Sequence, residues 1–188
     1  MLERIVAMEN ELIHQKLDKE SEIARRSKQI YNEVLDNADL ISSIPLRARF
    51  YKVGIIAAVS SIEAYSSKGR PIKLPCARAY VRCNMMLYNL QVQYLGHNHP
   101  DLIASLNALE QGIRSMVAKF PSEANSVFSA MVSLGICSSE CSTLGEALQW
   151  TKGECLRLKQ LYSTSRRYTE ALSIYGKSGA SYWSEYVA

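Results

Sequence analysis

The chain has no run of about 18 apolar residues; its best stretch, residues 53–62, is short and interrupted by Gly54, Ser60 and Ser61. A membrane-spanning helix is therefore not expected. Catalytic signatures are equally scarce. Lys68-Gly69-Arg70 lacks the upstream glycine and the Ser/Thr after a lysine that phosphate-metal chemistry needs, and neither a Gly-x-Ser-x-Gly elbow nor a His-Glu-x-x-His pair occurs. A Cys/His nucleophilic pair would have to be assembled in space, so neither an enzyme nor a cofactor is expected. The five cysteines are odd in number, and no charged-apolar-small leader precedes them. That pattern points to a reduced, intracellular protein, cytoplasmic rather than nuclear.

What is present is ordinary for a globular chain. In 188 residues, 47% are hydrophobic and 21% charged, enough for a core without disulfide or metal staples. Periodicity is helical almost throughout, and no hairpin of strands is convincing. Leu2, Ile5, Val6, Leu12, Ile13, Leu17, Ile23, Ile30, Tyr31, Val34 and Leu35 recur at helical spacing, so residues 1–40 read as one long helix or two collinear ones. On the heptad-like seam 2, 6, 9, 13, 16, 20, 23, 27, 30, 34, six positions are apolar, while Glu9, Lys16, Glu20 and Ser27 interrupt it. Such a helix either pairs with a second copy or packs on its own domain.

Pro45 closes that segment, and residues 47–61 suit a buried helix, although their β-branched content leaves a strand open. Residues 66–71 form a strong turn signal, and a helix over 76–95 ends at Gly96. Asn98-His99-Pro100-Asp101 starts the next helix. Further helices begin at residues 121–123 and 142–146, the second running through Trp150, and a last pair covers about 154–163 and 168–175 before a small-residue tail at 176–188. The expected fold is all-α, a single helical domain of seven or eight helices with a long N-terminal helix. Its parts are the 1–40 helix as oligomerisation candidate, a 41–175 body with a basic segment at 47–82, and a flexible 176–188 tail.

Leu158, Tyr162, Tyr168, Ala171 and Tyr175 fall where a tetratricopeptide repeat places its large and small packing residues. Residues 152–185 thus resemble one such repeat, with departures: its early Trp position is Cys155, its Gly position Lys159, and its late Ala and Pro positions Ser178 and Trp183. An ordinary helical hairpin accounts for the same residues. The pairs Cys76/Cys83 and Cys137/Cys141, at i, i+7 and i, i+4, would each share a helix face, and His97-Asn98-His99 sits at a helix start. Zinc modules show two tight pairs with a loop between, so structural roles and no metal are expected.

Charge location says more than the net +4. Residues 1–40 hold nine acids and six bases, a net of −3; residues 41–100 hold one acid, Glu63, and eight bases, a net of +7; the remainder balances. The eight are Arg47, Arg49, Lys52, Lys68, Arg70, Lys73, Arg78 and Arg82. In an antiparallel helix pair, the turn cluster continues into Arg78 and Arg82 on one i, i+4 face, with Arg47 to Lys52 at the far end. Phosphate contacts from such a stripe release counterions, and the interleaved Tyr51, Tyr65 and Tyr80 are candidates to stack on unpaired bases. The leading expectation is a non-enzymatic protein that binds the phosphate backbone of nucleic acid, RNA before DNA, without sequence specificity and as a homo-oligomer. The alternative is a helical adaptor or assembly subunit that holds a protein partner, an acidic surface included, through the C-terminal hairpin or the N-terminal helix.

Overall fold

The computed structural model describes residues 1–13, 20–67 and 69–163, with the backbone alone at 20 and 21. Among the described residues all regular structure is helical: α1 (Leu2–Ile13), α2 (Glu20–Asn37), α3 (Ile44–Ser66), α4 (Leu74–Leu95), α5 (Asp101–Lys119), α6 (Ala124–Ser133) and α7 (Leu144–Tyr162), with short 3₁₀ turns at Ala38–Leu40 and Pro121–Glu123. No helix among them is long and apolar enough to cross a membrane. The all-α expectation holds. The chain forms two compact units, Met1–Asn84 and Met85–Ala188, with the boundary inside α4.

In the first unit the N-terminal segment is two helices folded against each other, not one long helix or a collinear pair. Arg4 pairs with Glu33 and Arg26 with Glu11. Equal steps in opposite directions mean that α1 and α2 run antiparallel; in one continuous helix Arg4 and Glu33 would lie about 44 Å apart. The reason is in the apolar pattern. Ile5, Met8 and Leu12 are buried on α1, and Ala24, Ile30, Tyr31 and Val34 on α2, whereas Leu17 is the only apolar residue between 14 and 22. Two short stripes separated by a polar stretch are covered by folding back. The heptad seam is also misplaced on α1, since Leu2 and Ile13 are 48% and 71% exposed.

Pro45 opens α3 rather than closing the preceding segment. It lies in the first turn after an extended Ser43, where its missing N–H costs nothing. α3 is a helix despite its β-branched residues, because its buried positions, among them Phe50, Val53, Gly54, Ala57, Ala58, Ser61 and Ile62, serve packing on more than one side. A Cβ on Gly54 would lie 2.8 Å from Cys83 Sγ of α4 and 2.9 Å from Val34 Cγ1 of α2, so glycine is what lets three helices meet there. Ser61 of α3 reaches Cys76 of α4. The pairs 54/83 and 61/76 together make α3 and the start of α4 an antiparallel hairpin.

In the second unit, α5 buries Leu102, Ile103, Leu106, Leu109, Ile113 and Met116 against the α7 stripe of Ala147, Leu148, Thr151, Cys155 and Leu158. That stripe runs straight through Gly153, so the helices expected on either side of residue 153 are a single α7. The glycine costs about 1 kcal/mol relative to alanine but has open space around it and does not interrupt the buried face. At the start of α5, His99 Nδ1 accepts the Asp101 N–H at 3.2 Å. Asn98 does not cap the helix; its Oδ1 accepts from Arg157 of α7 at 2.8 Å.

Candidate nucleic-acid interface

The eight bases of residues 47–82 do not share one environment. Arg47 is half-buried and donates from Nε to the Ile41 carbonyl at 2.8 Å, tying the start of α3 to the turn before it. Arg49 grips Glu9 of α1 with two nitrogens, Nε to Oε1 at 2.7 Å and Nη2 to Oε2. Glu9, an interruption in the heptad count, is thus the carboxylate that neutralises part of the basic segment, and it does so within one chain. Lys52 is half-buried and already engaged by other groups. Lys68 lies outside the described residues.

The remaining four are exposed. Arg70 and Lys73 occupy the turn between α3 and α4, where the Arg70 N–H donates to the Tyr65 carbonyl at 3.0 Å. Arg78 and Arg82 stand on the outer face of α4 together with Pro75, while Cys76, Ala77, Ala79, Tyr80, Val81 and Cys83 point inward. Along the helix axis Arg78 and Arg82 are about 6 Å apart, and Lys73 to Arg82 spans roughly 13 Å, several phosphates of one strand. Arg78 also interacts with a group of its own chain. Glu63, the sole acid of residues 41–100, lies in the last turn of α3, and partial burial raises the pKa of its carboxyl above the usual value.

The stacking tyrosines are a correction. Tyr51 is 2% exposed and its hydroxyl donates to Asp39 Oδ1 at 3.0 Å; Tyr80 is 1% exposed. Burial pushes both phenols up, most strongly through lost hydration. They are core residues that cannot meet a base, and Tyr65 is half-buried. The sequence carries the reason: two residues beyond Arg78, or beyond Arg49, a helix has turned about 200°, so Tyr80 and Tyr51 face away from those cations.

Among the described residues no group of three or more His, Cys, Asp or Glu could hold a metal ion. Cys76 and Cys83 are buried thiols on α4, with Cys83 pushed up to about 12 by burial. Cys137 and Cys141 are not on a helix face, as their spacing suggested, but in the loop between α6 and α7. Of the repeat-like residues, Leu158 is buried and Tyr162 half-buried; Tyr168, Ala171 and Tyr175 lie outside the described residues, as does the 176–188 tail. No protein family matches the chain, and no curated protein sequence or solved structure does either.

Proposed function

We propose that this chain is a non-enzymatic helical protein that binds nucleic acid, RNA in the first place, through the phosphate backbone. The contacts come from Arg70, Lys73, Arg78 and Arg82. One observation carries the reading: four exposed cations follow one another along a helix turn and a single helix face, in a stretch of sixty residues that holds one acid. With Tyr51 and Tyr80 in the core, affinity rests on charge, which favours a duplex or any strand with closely spaced phosphates over recognition of splayed bases.

Four contacts per chain give only modest affinity, so the protein acts as a homo-oligomer that places two such faces on one nucleic acid. The outward Leu2 and Ile13 of α1 offer apolar surface for that pairing. Five cysteines held as thiols suit a reducing compartment, the cytoplasm before the nucleus.

The test is the salt dependence of binding to a short RNA duplex. Each face, with four phosphate contacts, contributes about −3.6 to the slope of log K against log salt, a factor of about 100 between 50 and 200 mM. Arg78→Ala with Arg82→Ala should cut the contribution of each face to about −1.8 and its factor to about tenfold. An unchanged slope, or no binding at low salt, overturns the proposal. Equal binding to polyglutamate in competition also overturns it and transfers the face to an acidic protein partner.

A further inference from the structure

The loop between α6 and α7 is pinned at nearly every residue. α6 ends in a left-handed Gly135 at φ +63, with the Ile136 N–H bonded to the Met131 carbonyl at 2.9 Å and the Gly135 N–H to the Val132 carbonyl at 3.0 Å. That paired capping pattern turns the chain inward and buries Ile136 and Cys137. A second turn follows: the Cys141 N–H donates to the Ser138 carbonyl at 3.1 Å, and the Glu140 N–H to Ser138 Oγ at 3.2 Å. On the far side, Thr143 Oγ1 accepts the Glu146 N–H at 3.2 Å and Glu146 Oε2 accepts the Ser142 N–H at 2.7 Å, fixing the start of α7.

The turn closed by the Cys141 N–H on the Ser138 carbonyl brings residue 141 back toward residue 137, so that the part-exposed Cys141 thiol neighbours the buried Cys137 thiol. The other three cysteines are differently placed. Cys76 Sγ donates to the Lys73 carbonyl at 2.8 Å, Cys155 Sγ donates to the Ile103 carbonyl at 3.7 Å, and Cys83 is 0% exposed. Of the five, Cys141 alone is not buried. Reactivity toward a dissolved electrophile therefore enters through Cys141, whose nearest thiol is already in place.

We infer that Cys137 and Cys141 form a dithiol modification site that a small-molecule disulfide such as oxidised glutathione converts to a disulfide within the loop. The Cys141 thiolate attacks one glutathione sulfur, forming a mixed disulfide and releasing one glutathione thiolate. Cys137, deprotonated by that thiolate or by solvent, then attacks Cys141 Sγ and expels the second. Two protein thiols are oxidised and one oxidised glutathione is reduced to two glutathiones. Burial and the neighbouring sulfur raise the Cys137 thiol, which agrees with its acting second and not as the attacking group. In a reducing compartment such a bond is transient and serves as a sensor.

Cleavage after Lys119 and Lys152 leaves both cysteines, and no other, on the peptide 120–152. The intact folded chain is incubated with oxidised glutathione, alkylated after denaturation and mapped by mass. The expected result is a 120–152 peptide lighter by two hydrogens and unalkylated, while the peptides carrying Cys76, Cys83 and Cys155 are alkylated in full. In Cys137→Ser the reaction should stop at a glutathione adduct on Cys141, and in Cys141→Ser it should not start. Oxidation spread over all five cysteines, a stable Cys141 adduct in the unsubstituted chain, or a 120–152 peptide that stays fully alkylated overturns the inference.

Discussion

At the start of α3, Arg47 and Arg49 are held by groups of their own chain, a backbone carbonyl and the Glu9 carboxylate. At the other end of the same hairpin, Arg70, Lys73 and Arg82 are exposed, and so is Arg78, although it also has an interaction within the chain. In the sequence the two groups are alike, short clusters of base beside apolar helix. What separates them is the company that the fold brings. α1 lies on α3 and carries its acid to Arg49, whereas Arg70, Lys73 and Arg82, in the turn after α3 and on the outer face of α4, are exposed. The lesson is that a basic segment is a pool of charge from which the fold first draws structural pairs, and only the residue left over is offered to a partner.

The comparison depends on the hairpin that separates its two ends, and the largest effect is expected where that hairpin can be forced open. Gly54→Ala puts a methyl 2.8 Å from Cys83 Sγ and 2.9 Å from Val34 Cγ1, closer than packed atoms come. Overpacking of this kind costs about 1–3 kcal/mol, read as a lower urea midpoint. Adding Cys83→Ala should recover part of it by removing the nearer obstacle. An unshifted midpoint in the single variant would mean that α2, α3 and α4 do not meet at Gly54.

A smaller loss is expected from Tyr51→Phe. The hydroxyl donates to Asp39 Oδ1 in a place with little water, and removing it should cost about 1 kcal/mol of stability. RNA binding should not change at all, because the ring lies in the core. Weaker binding at unchanged stability would put Tyr51 back among the stacking candidates and blur the line between core and interface.

These residues also show how far the sequence could be read. The helices were legible from periodicity, down to Gly96 as a stop and Asp101 as a first-turn acid. Tyr80 was legible in principle, since the same i, i+4 rule that puts Arg78 and Arg82 on one face puts residue 80 on the opposite one. The fold-back of α1 on α2 was not. Periodicity reports which residues face inward but not what they face, and Arg4 with Glu33 is a pairing across 29 residues that no local pattern encodes. The unequal fate of the bases follows from that same long-range step, because Glu9 reaches Arg49 only once α1 has been laid on α3. Cys137 and Cys141 fail for a different reason: an i, i+4 spacing looks helical until Gly135 ends α6 ahead of them.

The smallest expected effect is the sharpest test of the contrast. Arg49 and Glu9 keep side-chain exposures of 42% and 22%, so water screens their attraction, and a double-mutant cycle between Arg49→Ala and Glu9→Ala should give a coupling of only about 0–1 kcal/mol. Weak coupling does not make Arg49 available, however. A phosphate would have to displace a two-pronged carboxylate that is tethered in the same chain, so Arg49 makes no phosphate contact and releases no counterion from the nucleic acid. Arg49→Ala should therefore leave the salt slope of RNA binding where it was, while Arg82→Ala lowers it by about one unit for each chain bound. If Arg49→Ala lowers the slope by a full unit as well, Arg49 has left Glu9 for the nucleic acid, and the two ends of the hairpin form one continuous interface after all.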